Sequence, residues 1–196
     1  PMVLGHESAG IVEQVGSDVH YVKPGDHVIT CLSVFCGHCE QCVTGHLSLC
    51  QEPEMSRGRE EEPRISQNDQ PLTPFAQLGS FAEMMLVHEH AVVKVREDMP
   101  MDRAALIGCG VTTGVGAVIH TAAVEPGSTV AVIGCGGIGL SAINGAALAG
   151  ASRIIAVDMV SSKLELARNF GATDVVDASD GEAIEKVREL TGGGVH

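Results

Sequence analysis

The spacing of apolar positions changes along this chain, and the change divides it. In the first hundred residues the apolar stretches are short and separated by turn formers, the pattern of strands. Residues 8–15 and 26–31 read as strands around the turn Lys23-Pro24-Gly25-Asp26. Residues 81–87 and 91–95 read as strands around a His-Glu-His turn, His88 to His90. Between them residues 51–80 are charged and carry Pro71 and Pro74, which reads as a solvated loop. From Met101 the pattern lengthens. Residues 101–107 begin a helical stretch, and residues 111–123 form a helix rich in small side chains that leads to the turn Glu125-Pro126-Gly127. Strand and helix then alternate. Residues 130–133 are a short β-branched run of the kind buried on both faces, 140–149 a helix and 154–157 a second buried strand. An amphipathic helix (161–170), a third strand (174–176) and a helix with Ile184, Val187 and Leu190 on one face (181–190) complete the series. The period change puts a domain boundary near Gly110, with units of 1–110 and 111–196. There are no internal repeats and no low-complexity tracts.

The first strand of the second unit runs into Gly134-x-Gly136-Gly137-x-Gly139. In such a turn the first glycine permits the tight bend, the second lets backbone approach a pyrophosphate, and the third lets the helix pack close to the strand. The N–H groups and dipole of the following helix would hold phosphates. The next strand ends in Asp158, nineteen residues after Gly139, where an acid binds both ribose hydroxyls of NAD and repels the extra phosphate of NADP. Strand, glycines, helix, strand and acid in this order point to dinucleotide binding. Cys135 occupies a variable position of the turn.

The first unit carries a second signal, Cys36-x2-Cys39-x2-Cys42-x7-Cys50, in a lobe of about residues 31–55. Two-residue gaps in short loops let successive thiolates converge on a tetrahedral zinc, and four cysteines leave no open position for chemistry. An iron–sulfur cluster or a pair of disulfides would use the same residues. His38 and His46 read as surface residues, and Cys31, outside the spacing, as a small strand residue. Gln51 is a poor ligand, and Glu52 and Glu54 are near Cys50 in sequence only. His6 and Glu7, in Gly5-His6-Glu7, read on their own as a surface pair, and Cys109 as a small buried thiol.

Composition narrows the classes. The 196 residues are 44% hydrophobic, enough for a sizeable core, and the net charge of −13 with no Trp and one Tyr argues against a nucleic-acid surface. No run approaches the roughly 18 apolar residues of a membrane span, and the first residues lack a basic and apolar leader. Seven cysteines, four of them clustered, suit metal binding in a reducing compartment, which places the protein in the cytoplasm.

Taken together these residues resemble the zinc-dependent alcohol dehydrogenases of the medium-chain dehydrogenase/reductase superfamily. Gly5-His6-Glu7-Ser-Ala-Gly10 with Gly16 and Val19 is similar to that family's zinc signature, and the four-cysteine lobe to its structural zinc. Leu106-Ile-Gly-Cys109-Gly with Thr112-Thr113-Gly114 is similar to the segment joining its two domains, and Gly134 to Gly139 with Asp158 to its NAD site. The linker and the lobe resemble the dimeric class I and class III type more than polyol dehydrogenases or zinc-free quinone reductases.

The resemblance implies an α/β fold: a partial Rossmann parallel sheet of about three strands after a truncated GroES-like β-rich catalytic domain with a structural zinc lobe. It implies that His6 and Cys109 are catalytic zinc ligands with Glu7 behind the metal. It implies that Thr113 and Ile138 meet the nicotinamide side of NAD and that Lys163 supports the adenosine ribose beside Asp158. The family's ligand set of two cysteines and a histidine is carried by the resemblance alone. The activity implied is oxidation of a small alcohol to an aldehyde or ketone, with hydride transfer to NAD, in a homodimer or homotetramer with no nucleic-acid or membrane partner. A class III enzyme acting on a formaldehyde–thiol adduct, or a zinc- and NAD-binding module without catalysis, are the alternatives. In the family the first catalytic cysteine and the hydroxyl of the proton relay precede the Gly-His-Glu segment, and a second Rossmann half follows the third strand. The chain is therefore expected to be an internal fragment of a longer enzyme, and inactive alone.

Overall fold

The computed structural model describes residues 1–52 and 61–196. The chain divides into two compact units, Pro1–Cys109 and Gly110–His196. Glu54 and the end of the cysteine lobe at 53–55 lie outside the described residues.

The first unit is β-rich. Strands β2 (Ala9–Ile11), β3 (His27–Thr30) and β6 (Val92–Lys94) form an antiparallel sheet with β3 in the centre. Ala9 pairs with Ile29, and Thr30 with Val92. Val22, Val28 and Val92 are buried beneath it, with Val12, Val15, Val19 and Val87 packed around them. The β-branched side chains suit this pleated, half-buried surface. Under the turn at residues 23–26, Asp26 accepts the Lys23 N–H at 2.9 Å and pairs with Lys94 at 2.8 Å, joining the turn to β6.

A smaller sheet differs from the sequence expectation. Residues 51–80 are not all loop: β4 (Ile65–Gln67) and β5 (Gln70–Pro74) form a hairpin, and β1 (Met2–Val3) adds to β5 in parallel. The hairpin turns on Asn68 and Asp69, both left-handed at φ 51° and 61°. Two left-handed residues match the twist of paired strands, and Asn and Asp accept that conformation better than most residues. The reverse correction applies at 81–87, which forms no strand. Phe81, Met84 and Leu86 project outward there, because the antiparallel sheet takes β6 and leaves this segment no ladder partner. A short helix α1 (Glu40–Val43) carries part of the cysteine lobe, and α2 (Met101–Ala104) with a 3₁₀ turn Ala105–Gly108 closes the unit.

The second unit alternates strand and helix. Strands β7 (Thr129–Ile133), β8 (Arg153–Asp158) and β9 (Asp174–Asp177) are parallel in the order β7-β8-β9. Central β8 is buried from Ile154 to Val157. β7, at an edge of this sheet, is only half-buried, and Ile133 at its end is exposed, where burial on both faces was expected. Helix α4 (Gly137–Leu148) lies against β7 and β8, burying Leu140, Ile143 and Ala146 with Ile154 and Ala156. Helices α5 (Ser161–Asn169) and α6 (Ala183–Thr191) follow β8 and β9. α6 stops at Gly192, left-handed at φ 69°. Residues 111–123 are not one uniform helix: α3 (Gly110–Gly116) widens into a π-helical turn, Ala117–Thr121. Gly114 packs against α4 so tightly that a Cβ there would stand 2.4 Å from the Ile138 carbonyl oxygen. Among the described residues no single helix is long and apolar enough to cross a membrane.

Candidate metal and dinucleotide sites

The loop from Phe35 to Cys50 folds back on itself around sulfur. The Sγ atoms of Cys36, Cys39, Cys42 and Cys50 all lie within 4.8 Å of one another. Cys39 and Cys42 sulfurs are 3.5 Å apart, and those of Cys36 and Cys42 3.8 Å. A tetrahedral zinc with 2.3 Å bonds to sulfur sets its ligands about 3.8 Å apart. The spacings fit that ion, and they exceed the roughly 2.05 Å of a disulfide, which removes the disulfide alternative. Backbone N–H groups point at the sulfurs: Cys39 and His38 donate to Cys36 Sγ at 3.3 and 3.4 Å, and Cys36 donates to Cys50 Sγ at 3.3 Å. The Cys39 thiol is drawn down to about 6, first by the backbone N–H of Gln51 and then by that of Cys42. Burial pushes the Cys42 thiol up to about 11. Four sulfurs drawn together, one of them buried, form a set that a metal cation would satisfy. Glycine makes the lobe possible at Gly37 and Gly45, both left-handed at φ 85° and 89°. His46 Nδ1 lies 3.2 Å from Thr44 Oγ1, and neither His38 nor His46 joins the sulfur group.

His6 and Cys109 come from opposite ends of the first unit. Thr30, at the end of β3, touches the His6 backbone on one side and the residue before Cys109 on the other. Its hydroxyl donates to the His6 carbonyl oxygen at 3.2 Å and lies 2.9 Å from Ser8 Oγ. On the other side Gly108 fits so closely that a Cβ would stand 2.0 Å from the Thr30 carbonyl oxygen. Thr30 thus holds the backbone on which His6 stands and abuts the residue before Cys109. The His6 ring rests on Phe75, with centroids 5.5 Å apart. The sequence alone gives Thr30 no role, since a threonine in a strand carries no signal until the strand end is seen against the 3₁₀ turn. His6, Glu7 and Cys109 do not converge as a set of three; among the described residues the four cysteines are the one such group.

In the second unit the glycine turn takes the expected form. Gly134 is left-handed at φ 91°, and its N–H donates to the Val157 carbonyl at 2.8 Å, tying the turn to β8. A Cβ at Gly139 would stand 1.8 Å from the Gly134 carbonyl oxygen, so this glycine lets α4 start close against β7. At Gly136 and Gly137 a Cβ would meet nothing within 4 Å. The backbone at the start of α4 is therefore open, a cradle that fits a diphosphate approaching its N–H groups. Asp158 closes one side. Its carboxylate accepts the Cys135 N–H at 2.7 Å and the Val160 N–H at 2.9 Å, with Lys163 Nζ at 3.9 Å. The Cys135 N–H, then the Val160 N–H, keep the carboxyl below its usual range. Cys135 itself is buried, its thiol raised by that burial and by the charge of Asp158. Ile138 is exposed on the first turn of α4, and Thr113 is exposed on α3.

A four-cysteine lobe able to hold a metal ion, on a β-rich unit, and a βαβαβ unit with an open glycine turn and a terminal acid mark the chain as a metal-binding and dinucleotide-binding protein. Comparison with known proteins gives the family. Residues 1–97 match the model of the alcohol dehydrogenase GroES-like domain, and residues 137–196 that of the zinc-binding dehydrogenases. A probable S-(hydroxymethyl)glutathione dehydrogenase of Schizosaccharomyces pombe is 45% identical over 200 residues, covering 100% of this chain and 53% of the relative. A class-3 alcohol dehydrogenase of Oryza sativa is 44% identical over 202 residues with the same coverage. Among solved structures, a benzyl alcohol dehydrogenase from Acinetobacter calcoaceticus superposes with a TM-score of 0.85 at 39% identity, covering 100% of this chain and 54% of that one. The chain belongs to the zinc-dependent alcohol dehydrogenases of the medium-chain dehydrogenase/reductase superfamily, and it spans about half the length of the curated relatives it matches.

Proposed function

We propose that this chain is the part of an NAD-dependent alcohol dehydrogenase that holds the structural zinc, two ligands of the catalytic zinc and the first half of the dinucleotide site. The observation that carries this reading is the open glycine turn between β7 and α4 with Asp158 at the end of β8. The cysteine lobe and the glycine turn are assigned from their own geometry, and the remaining roles are those the family resemblance implies. Cys36, Cys39, Cys42 and Cys50 hold one zinc in a closed site. His6 and Cys109 are assigned to the catalytic zinc, with Glu7 behind it. That zinc, when bound, supplies a Lewis acid that makes an alcohol proton easier to lose at neutral pH. Gly134, Gly136, Gly137 and Gly139 shape the turn that receives the diphosphate. Asp158 accepts the ribose hydroxyls, with Lys163 beside it, and its negative charge disfavours a 2′-phosphate. Thr113 and Ile138 are assigned to the nicotinamide side.

A second reading within the class has a specific basis. The fission yeast relative at 45% identity is named for S-(hydroxymethyl)glutathione, so a thiol adduct of formaldehyde is the alternative substrate to a simple alcohol. The cytoplasm, and a homodimer or homotetramer of the complete enzyme, belong to the same proposal. The test is NADH formation by the complete enzyme with a primary alcohol and with the glutathione adduct in parallel. NAD-dependent turnover of either supports the reading, and the faster of the two selects the substrate class. Turnover of neither, or equal use of NADP, contradicts it.

A further inference from the structure

The cysteine lobe is tied to the antiparallel sheet through a turn to which the family likeness gives no role. The 3₁₀ turn Glu89–Ala91 leads into β6, and both of its flanks are fixed. His88 Nδ1 accepts the His90 N–H at 3.0 Å. The Glu89 carboxylate accepts the N–H groups of His20 and Tyr21 at 3.1 and 2.9 Å. With Glu89 anchored on that side, His90 reaches the other way. Its ring lies flat on Phe35, with centroids 4.5 Å apart and 4° between planes, and its Nδ1 is 2.6 Å from the Phe35 carbonyl oxygen. A carbonyl only accepts, so Nδ1 carries the proton.

The peptide that His90 grips is the one that enters the metal lobe. Its carbonyl belongs to Phe35 and its N–H to Cys36, and that N–H donates to Cys50 Sγ at 3.3 Å. A peptide hydrogen-bonded at its oxygen is polarised and donates more strongly at its nitrogen. His90, the 35–36 peptide and Cys50 Sγ thus form one relay.

We propose that His90 is a positioning residue of the four-cysteine site: its stacked ring and Nδ1–H bond hold the Phe35–Cys36 peptide so that Cys36 stays with the other thiolates and Cys50 keeps its N–H donor. The proposal rests on the lobe being a zinc site, and the test separates the two. Zinc is first measured in the wild-type chain, and its transfer to an excess chromophoric chelator is then timed. His90→Phe keeps a flat ring and loses the donor; His90→Asn restores a side-chain N–H near the same place. His90→Phe is expected to release zinc about tenfold faster, the effect of losing roughly one well-formed hydrogen bond. His90→Asn should recover much of the difference. With cobalt in place of zinc, the thiolate-to-metal absorption of His90→Phe should shift while its circular dichroism stays that of the wild type. Equal release and an equal cobalt spectrum for His90→Phe overturn the proposal, as does a His90→Asn variant no slower than His90→Phe. Should either variant not fold, Phe35→Leu reads the same anchor: severalfold faster release supports it and an unchanged rate overturns it. A wild-type chain without zinc overturns the zinc reading itself, and this proposal with it.

Discussion

Glycines in the turn after β7 divide into two kinds, and the division is testable residue by residue. Gly139 is needed for packing, since a methyl group would enter the Gly134 carbonyl. Gly136 and Gly137 leave open backbone. Gly139→Ala is expected to cost about 1–3 kcal/mol or more of stability through overpacking. Gly136→Ala is expected to stay within about 0.5 kcal/mol of the wild type. Urea denaturation of both variants checks the contrast, and equal losses would contradict it. The complete enzyme should show the reverse order for pure binding: Gly136→Ala weakens NAD affinity without a matching loss of stability. Thr30 offers a second test at this scale. Thr30→Val removes the donor to the His6 carbonyl and is expected to cost about 0.5–1.5 kcal/mol, with Thr30→Ser retaining most of the stability. A Thr30→Val variant as stable as the wild type would show that the hydroxyl does not hold the His6 backbone.

At the scale of elements, what could be read from the chain depended on how much of each pattern was local. α4 and β8 were legible because a small-residue helix starts at glycines of fixed spacing and leads to a β-branched run that ends in an acid. The four-cysteine lobe was legible because metal ligation imposes its own spacing. The β4–β5 hairpin was not, because Pro71 and Pro74 masked it, although Asn68-Asp69 was a usable turn signal. Residues 81–87 misled in the opposite direction, since an apolar run becomes a strand only if a partner ladder is present, and partners lie far off in sequence. The breadth of the α3 break escaped for the same reason: it follows Gly114, whose value is the close approach of α4. α4 itself is held by burial, with Ile143 fully enclosed between helix and sheet. Ile143→Ala is expected to cost about 2–5 kcal/mol, measured by chemical denaturation, because its side chain is wholly enclosed in the core and its removal leaves a cavity.

For the molecule as a whole, acid stability and metal content carry the account. Arg153 pairs with Asp174 at 2.8 Å and joins β8 to β9. The Arg153 guanidinium, then the Thr173 hydroxyl, hold the Asp174 carboxyl at about 2. An unfolded aspartate titrates at about 3.9. A depressed carboxylate adds stability that is complete above the unfolded value and is lost as pH falls through the folded one. The stability of the chain should therefore fall between about pH 4 and pH 2 more steeply than that of Asp174→Asn, as followed by urea midpoints across that range. Identical slopes would remove this pair from the acid response. The most direct measurement of the central claim is zinc per chain, by elemental analysis of the purified protein and of Cys42→Ser. The account predicts zinc in the wild type and a loss of about one zinc per chain in the variant, since four cysteine sulfurs fill one closed site. No zinc in the wild type, or the same zinc content in Cys42→Ser, would contradict it.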